Sequence, residues 1–347
     1  MVLGILLLVL AQAPQEELVP DVDILALDED MLAFLKEIEK SQDPARRLYD
    51  LVYKVFSPDF LNLEYDGSKT KTAIETFQTR NGNCLSFTTM FVAMARYLGI
   101  DASFQQVSNI PTWNKHGEMV VLNRHMNARV FIHGRQFNID FNPWEDRKEI
   151  HKEVISDTRA FAQYYNNIGA EAFSAGEVER AMAFFRKAVS VDPELSFAWS
   201  NLGVAYKHAG RIKESEQAYL SALEFNKREY TAMNNLARLY KDMGRNREAR
   251  HLLRKVEDFR DRNPYYHFKM GEQAYIEGEY REAIRSFKKA IQRKATDHEF
   301  YFALARTYAK LGDQGKVAYY IKKAKEFAPD SFNKDRYSQK LEMLAKN

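Results

Sequence analysis

The sequence predicts an α+β domain followed by an all-α repeat solenoid. Three observations carry that expectation. Glycines at positions 176, 210, 244, 278 and 312 recur every 34 residues through the back half. In the front half the apolar pattern changes after Gly99 from a helical period to strand-like alternation. And the only cysteine, Cys84, opens the most apolar helix-like run ahead of that change. The chain has 347 residues, a length that suits two domains better than one. Its composition, 45% hydrophobic and 29% charged, is that of an ordinary globular protein.

Residues 1–13 form a short apolar run ending in Ala-x-Ala, the shape of a signal peptide and its cleavage site. The run is too short for a stable membrane span, which needs about 20 apolar residues. Export to a bacterial periplasm is the expectation. No Lys or Arg precedes the run and Pro14 follows it, so a cytoplasmic chain with an apolar N-terminal element is the alternative. Residues 28–144 form the front domain. Segments 28–40 and 43–56 read as helices, the second opened by Asp43-Pro44. Lys69–Thr79 reads as a short helix, and Gly82-Asn83 leads into a helix over Cys84–Leu98 that Gly99 stops. Ala102–Val107, Met119–Leu122, Ala128–Ile132 and Gln136–Phe141 then read as strands, with His133-Gly134-Arg135 as a tight turn. Helices followed by an antiparallel sheet make an α+β domain. Residues 145–161, charged and rich in helix formers, are expected to be a linker helix.

Residues 162–331 hold five repeats without insertion. Tyr165, Trp199 and Tyr301 share one phase, as do Ile168, Leu202, Leu236, Met270 and Leu304. Tyr206, Tyr240 and Tyr308 share another, and Ala188, Ala222, Ala290 and Ala324 a third. Pro193 and Pro329 punctuate two units. This pattern at a period of 34 resembles the tetratricopeptide repeat. The resemblance implies paired antiparallel helices that bury their apolar faces only by stacking. Small residues at one phase, Gly169, Gly203, Ala237, Gly271 and Ala305, are placed to let helices approach. Residues 332–347 read as an amphipathic helix that would cap the stack.

The chemistry lies in the front half. A cysteine at the first turn of a helix sits where backbone N–H groups and the helix dipole favour a thiolate. His125 and Asp140 follow, each on a strand-like segment. Cysteine, histidine and aspartate are the parts of a thiol nucleophile, its base and an orienting carboxylate. Their surroundings, Arg80-Asn81-Gly82-Asn83-Cys84, Leu98-Gly99-Ile100-Asp101-Ala102, the His125–Gly134 segment and Phe137-Asn138-Ile139-Asp140, resemble the transglutaminase-like core, a papain-type cysteine fold. The resemblance covers about residues 69–143. It implies Cys84 as nucleophile, His125 as base and then acid, and Asp140 as the group orienting the imidazole. Two departures stand out: Asn127 where the family often has an aromatic residue, and Asp140-Phe141 where it often has Asp-Pro. His116 and His133 are rival bases, Gln78 a rival oxyanion donor, and Tyr65 a packing residue near the site.

The expected function is a cysteine hydrolase or transamidase acting on a protein or peptide amide. The repeats would recruit a partner or the substrate on their concave face. The alternative is an inactive domain within a repeat scaffold. No cofactor is expected: there is no Gly-rich phosphate loop, no H-x-x-x-H spacing, and one cysteine makes no thiolate zinc site. Residues 1–161 carry 17 Lys+Arg against 23 Asp+Glu, and the remainder 34 against 25. That basic excess is too diffuse to argue for nucleic acid.

Overall fold

The structure, a computed structural model, describes residues 19–108, 124–141, 151–328 and 331–345. The signal-like run 1–13, the strand expected over Met119–Leu122, and His116 lie outside these residues. The described residues divide into two compact units. One reaches to Ala232 and holds the front domain with the first two repeats; the other runs from Met233 through the remaining repeats.

The front domain opens with α1 (Glu29–Glu39) and α2 (Pro44–Phe56). Each is started by an aspartate, Asp28 or Asp43, whose carboxylate accepts a backbone N–H of the first turn. A short strand β1 (Glu64–Tyr65) pairs in parallel with β2 (Asn81–Gly82), and α3 (Ala73–Thr79) lies between them in sequence. The helix expected from Lys69 therefore begins four residues late. Thr72 and Glu75 close a capping box at its head. The preceding backbone N–H groups are engaged elsewhere, that of Lys71 by Ser86 Oγ at 2.9 Å. Next comes α4 (Cys84–Tyr97), whose residues 85–95 are all buried. Gly99 ends it at φ +69°.

Strands β3 (Asp101–Ser108), β4 (Arg124–Ile132), β5 (Arg135–Ile139) and β6 (His151–Val154) form one sheet in the order β5-β4-β3-β6. The linker helix expected over 145–161 is thus corrected. Residues 151–154 add a strand beside β3, Ile155 N–H donates to Phe104 O at 3.0 Å, and helix begins only at Asp157. An open sheet edge supplies backbone partners, which outweigh a modest helix propensity.

The repeats pair α5 (Asp157–Ser174) with α6 (Val178–Val191), then α7 (Ser196–His208) with α8 (Ile212–Phe225). α9 (Tyr230–Asp242) and α10 (Asn246–Arg262) follow in sequence. α11 (Pro264–Ile276) pairs with α12 (Tyr280–Arg293), and α13 (His298–Lys310) with α14 (Gln314–Phe327). α15 (Ser331–Ala345) packs on α14, and its Tyr337 is buried beside His298. The five turn glycines all have positive φ, from +74° to +82°, a region that costs other residues a steric clash.

In the first unit one apolar core is continuous from Ile24, Met31 and Phe91 through Phe104 and Met126 to Tyr165 and Phe185. The front domain and the first repeat therefore share a core. Polar contacts reinforce it. Val22 N–H donates to the Tyr165 hydroxyl at 2.8 Å, Gln163 Nε2 donates to Gln106 Oε1 at 2.8 Å, and Arg96 forks onto Asp157 at 2.6 and 2.9 Å.

Candidate functional site

Cys84 is the first residue of α4 and is partly buried. Asn83 is the N-cap, extended at φ −87°, and its side-chain oxygen accepts from Ser86 N–H at 3.0 Å. The early N–H groups of a helix have no intrahelical partner. The backbone N–H of Cys84 is one of them by position.

His125 is the second residue of β4 and is buried, at 5% exposure. Asp140 follows directly on β5. The β4–β5 register pairs Ala128 with Ile139 and Arg129 with Asn138. Extended by one step it sets Asn127 opposite Asp140, with His125 on the diagonal of the same face. His125 Nε2 lies 2.7 Å from both carboxylate oxygens of Asp140. The Cys84 side chain acts on the same imidazole, as one of the groups that raise its pKa. With Nε2 on the carboxylate, Nδ1 is the ring nitrogen left for the thiol. Burial alone pushes the His125 pKa down; the Asp140 carboxylate and the Cys84 side chain push it up, and the balance is a raised value.

The two departures from the family pattern both touch Asp140. Asn127 is fully buried and its Nδ2 donates to Asp140 Oδ2 at 3.3 Å, so it is a second donor to that carboxylate. Its own Oδ1 is buried with no partner among the described residues. Phe141 stacks on Phe56 at 4.8 Å between ring centroids, and meets Phe87 at 5.2 Å and Phe91 at 6.0 Å. An aromatic anchor thereby fixes the chain one residue beyond the carboxylate. Sequence reasoning marked both positions as unusual and assigned neither a role; the direct cross-strand pairing was the signal that could have found Asn127.

The rival residues fall elsewhere. His133 occupies the β4–β5 turn with φ +49° and is exposed. The Gln78 side chain is exposed and donates to Asp28 Oδ2 at 2.8 Å. It borders a groove of about 510 Å³ that Phe34, Phe60, Phe77 and Arg80 also line, and Cys84 and His125 do not. Tyr65 is half exposed and packs against Phe87 at 6.4 Å. Among the described residues no three His, Cys, Asp or Glu side chains gather as metal ligands, and no helix is long and apolar enough to cross a membrane.

Set beside known proteins, residues 32–138 match the family model of the transglutaminase-like superfamily. Tetratricopeptide-repeat models match residues 162–195, 198–229, 231–256 and 268–332. The chain thus carries a transglutaminase-like domain followed by tetratricopeptide repeats. No curated protein sequence matches it. Solved structures similar to it include YrrB, described as a TPR protein with an unusual peptide-binding site; it is 21% identical over 51% of this chain and 92% of its own, with a TM-score of 0.28. MamA from Desulfovibrio magneticus RS-1 is 15% identical over 51% of this chain and 99% of its own, at 0.28. A thermophilic TPR protein of Thermus thermophilus is 20% identical over 51% of this chain and 97% of its own, at 0.27. At such scores these likenesses carry no argument about what this chain does.

Proposed function

We propose that this chain, a transglutaminase-like domain joined to tetratricopeptide repeats, is an acyl-transfer enzyme whose nucleophile is Cys84. The observation that carries the reading is the His125 imidazole held at 2.7 Å by Asp140, with the Cys84 side chain at the head of α4 acting on the same ring. His125 Nδ1 takes the thiol proton. The thiolate sulfur then attacks the carbonyl carbon of a peptide or side-chain amide. The backbone N–H of Cys84 is placed to donate to the oxyanion that forms. Collapse of the tetrahedral adduct breaks the C–N bond, the imidazolium gives its proton to the leaving amine, and an acyl thioester remains on Cys84. Water or an amine attacks the thioester while His125 accepts the proton, releasing an acid or a new amide and returning the thiol. Asp140 holds the ring in the required tautomer throughout. The repeats recruit a protein or peptide partner on their concave face, which is the usual use of such arrays.

The test is the rate of iodoacetamide alkylation against pH, in the wild type and in His125→Ala. Cys84 is the only cysteine, so the signal is its own. The expected result is an inflection well below the free-thiol value of about 8.5, moving toward that value without His125. A slow thiol indifferent to His125 in a folded protein overturns the reading and leaves an inactive domain on a repeat scaffold.

A further inference from the structure

The nucleophile's helix is held from outside the front domain. Thr70, Asn83 and Ser86 are all buried, at 6%, 8% and 0% exposure. They form one path. Glu171 Oε1, on α5 of the first repeat, accepts from Thr70 N–H at 2.7 Å. The Thr70 hydroxyl oxygen accepts from Asn83 Nδ2 at 2.7 Å. Asn83 Oδ1 in turn accepts from Ser86 N–H and from Ser86 Oγ, each at 3.0 Å. An Asn amide has a donor end and an acceptor end. By taking the donor end, Thr70 decides that the acceptor end faces Ser86, and so that the helix starts at Cys84. Glu171 and Thr70 are 101 residues apart in sequence, and this contact ties a repeat helix to the cap beside the nucleophile.

We propose that Glu171 is a positioning residue for Cys84: through Thr70 and Asn83 it sets where α4 begins and hence where the thiol stands relative to His125. The first repeat is then a working part of the acyl-transfer site as well as the first stack of a recruitment array. This rests on the reading of Cys84 as nucleophile. The role is indirect, because Glu171 acts on backbone and cap and not on the reacting atoms. The bond it makes has a carboxylate as acceptor and is of the stronger, charge-assisted kind.

The test uses the full chain and two readouts: amide hydrogen exchange over residues 83–88, and alkylation of Cys84 by iodoacetamide against pH. Glu171→Ala is expected to speed exchange at the α4 start on the order of tenfold and to move the alkylation inflection upward. Glu171→Gln keeps an oxygen for Thr70 N–H but loses the charge, and is expected to fall between wild type and Glu171→Ala. Thr70→Val leaves the Glu171 bond and removes the acceptor for Asn83; it is expected to repeat the Glu171→Ala result and serves if that variant fails to fold. Lys187→Ala breaks a different tie between the first repeat and the front domain, its pair with Asp21, and is expected to change neither readout. The proposal is overturned if Glu171→Ala and Thr70→Val both leave exchange and inflection at wild-type values, or if Lys187→Ala moves them equally. A wild-type inflection at about 8.5 removes the nucleophile reading instead. In that case the exchange data alone decide the cap: faster in Glu171→Ala upholds Glu171's hold on the helix start, unchanged removes it.

Discussion

In the second repeat a Cβ on Gly203 would lie 2.6 Å from the Tyr219 ring, and in the fourth a Cβ on Gly271 would lie 2.5 Å from Phe287. Gly169 stands in the same relation to Phe185. The third and fifth units carry Ala237 and Ala305 at that phase, and Leu253 and Ile321 where the others carry rings. One packing solution is copied along the array, with ring size and small-residue size adjusted together. The front domain repeats nothing. Its site depends on contacts that each occur once: Phe141 among three rings, Asn127 on Asp140, Thr70 on Asn83. A copied contact is legible from its period and equivalent in its units. A singular contact is legible only from three-dimensional neighbours, and its loss is felt at the site.

The largest expected effect is at Phe141. Phe141→Ala should cost about 3 kcal/mol of stability and should also raise the pH at which Cys84 alkylates, because Asp140 loses its anchor. Denaturant midpoints and the alkylation profile measure the two together; a stability loss with an unmoved profile would separate the aromatic cluster from the site. Gly271→Val should cost about 2 kcal/mol or more, since a branched side chain must displace the Phe287 ring from a well-packed helix pair. Here the alkylation profile is expected to stay at wild type.

A smaller effect sharpens the idea of equivalence. Gly210→Ala and Gly278→Ala each place a Cβ at positive φ and should cost about 1 kcal/mol. The two losses should agree, although one glycine lies in each compact unit. Losses differing severalfold would mean that the units of the array are not interchangeable.

The smallest effect is a pH dependence of stability. The folded-state pKa of His125 is raised above its ordinary value of 6.5 by Asp140 and Cys84, against the opposing effect of burial. A raised basic group stabilises the fold fully below its unfolded pKa, and that contribution is lost as pH rises through the folded value. Stability should therefore decline as pH rises above about 6.5, and His125→Gln should flatten the slope. Urea midpoints from about pH 5.5 to about pH 8.5 cover the window. A slope unchanged in His125→Gln would assign the dependence to other groups.

The repeat period, the turn glycines and the capping aspartates act within a few residues, so they could be read from the sequence. The helix over Cys84–Tyr97 and the β4–β5 hairpin were legible for the same reason, and with them the order of Cys84, His125 and Asp140. Order along the chain does not bring side chains together. The 2.7 Å approach of His125 to Asp140 required the hairpin register. Residues 151–154 show the limit most plainly: charged and helix-forming by composition, they became a strand because β3 offered an open edge. The bond from Glu171 to Thr70 is beyond any sequence pattern, since no local period relates residues 101 positions apart. Propensity, capping and turn geometry are short-range, so the local elements and the chemical groups available follow from residue order. Which groups meet depends on the faces and edges that remain for distant segments to satisfy, and that emerges only when the whole chain packs.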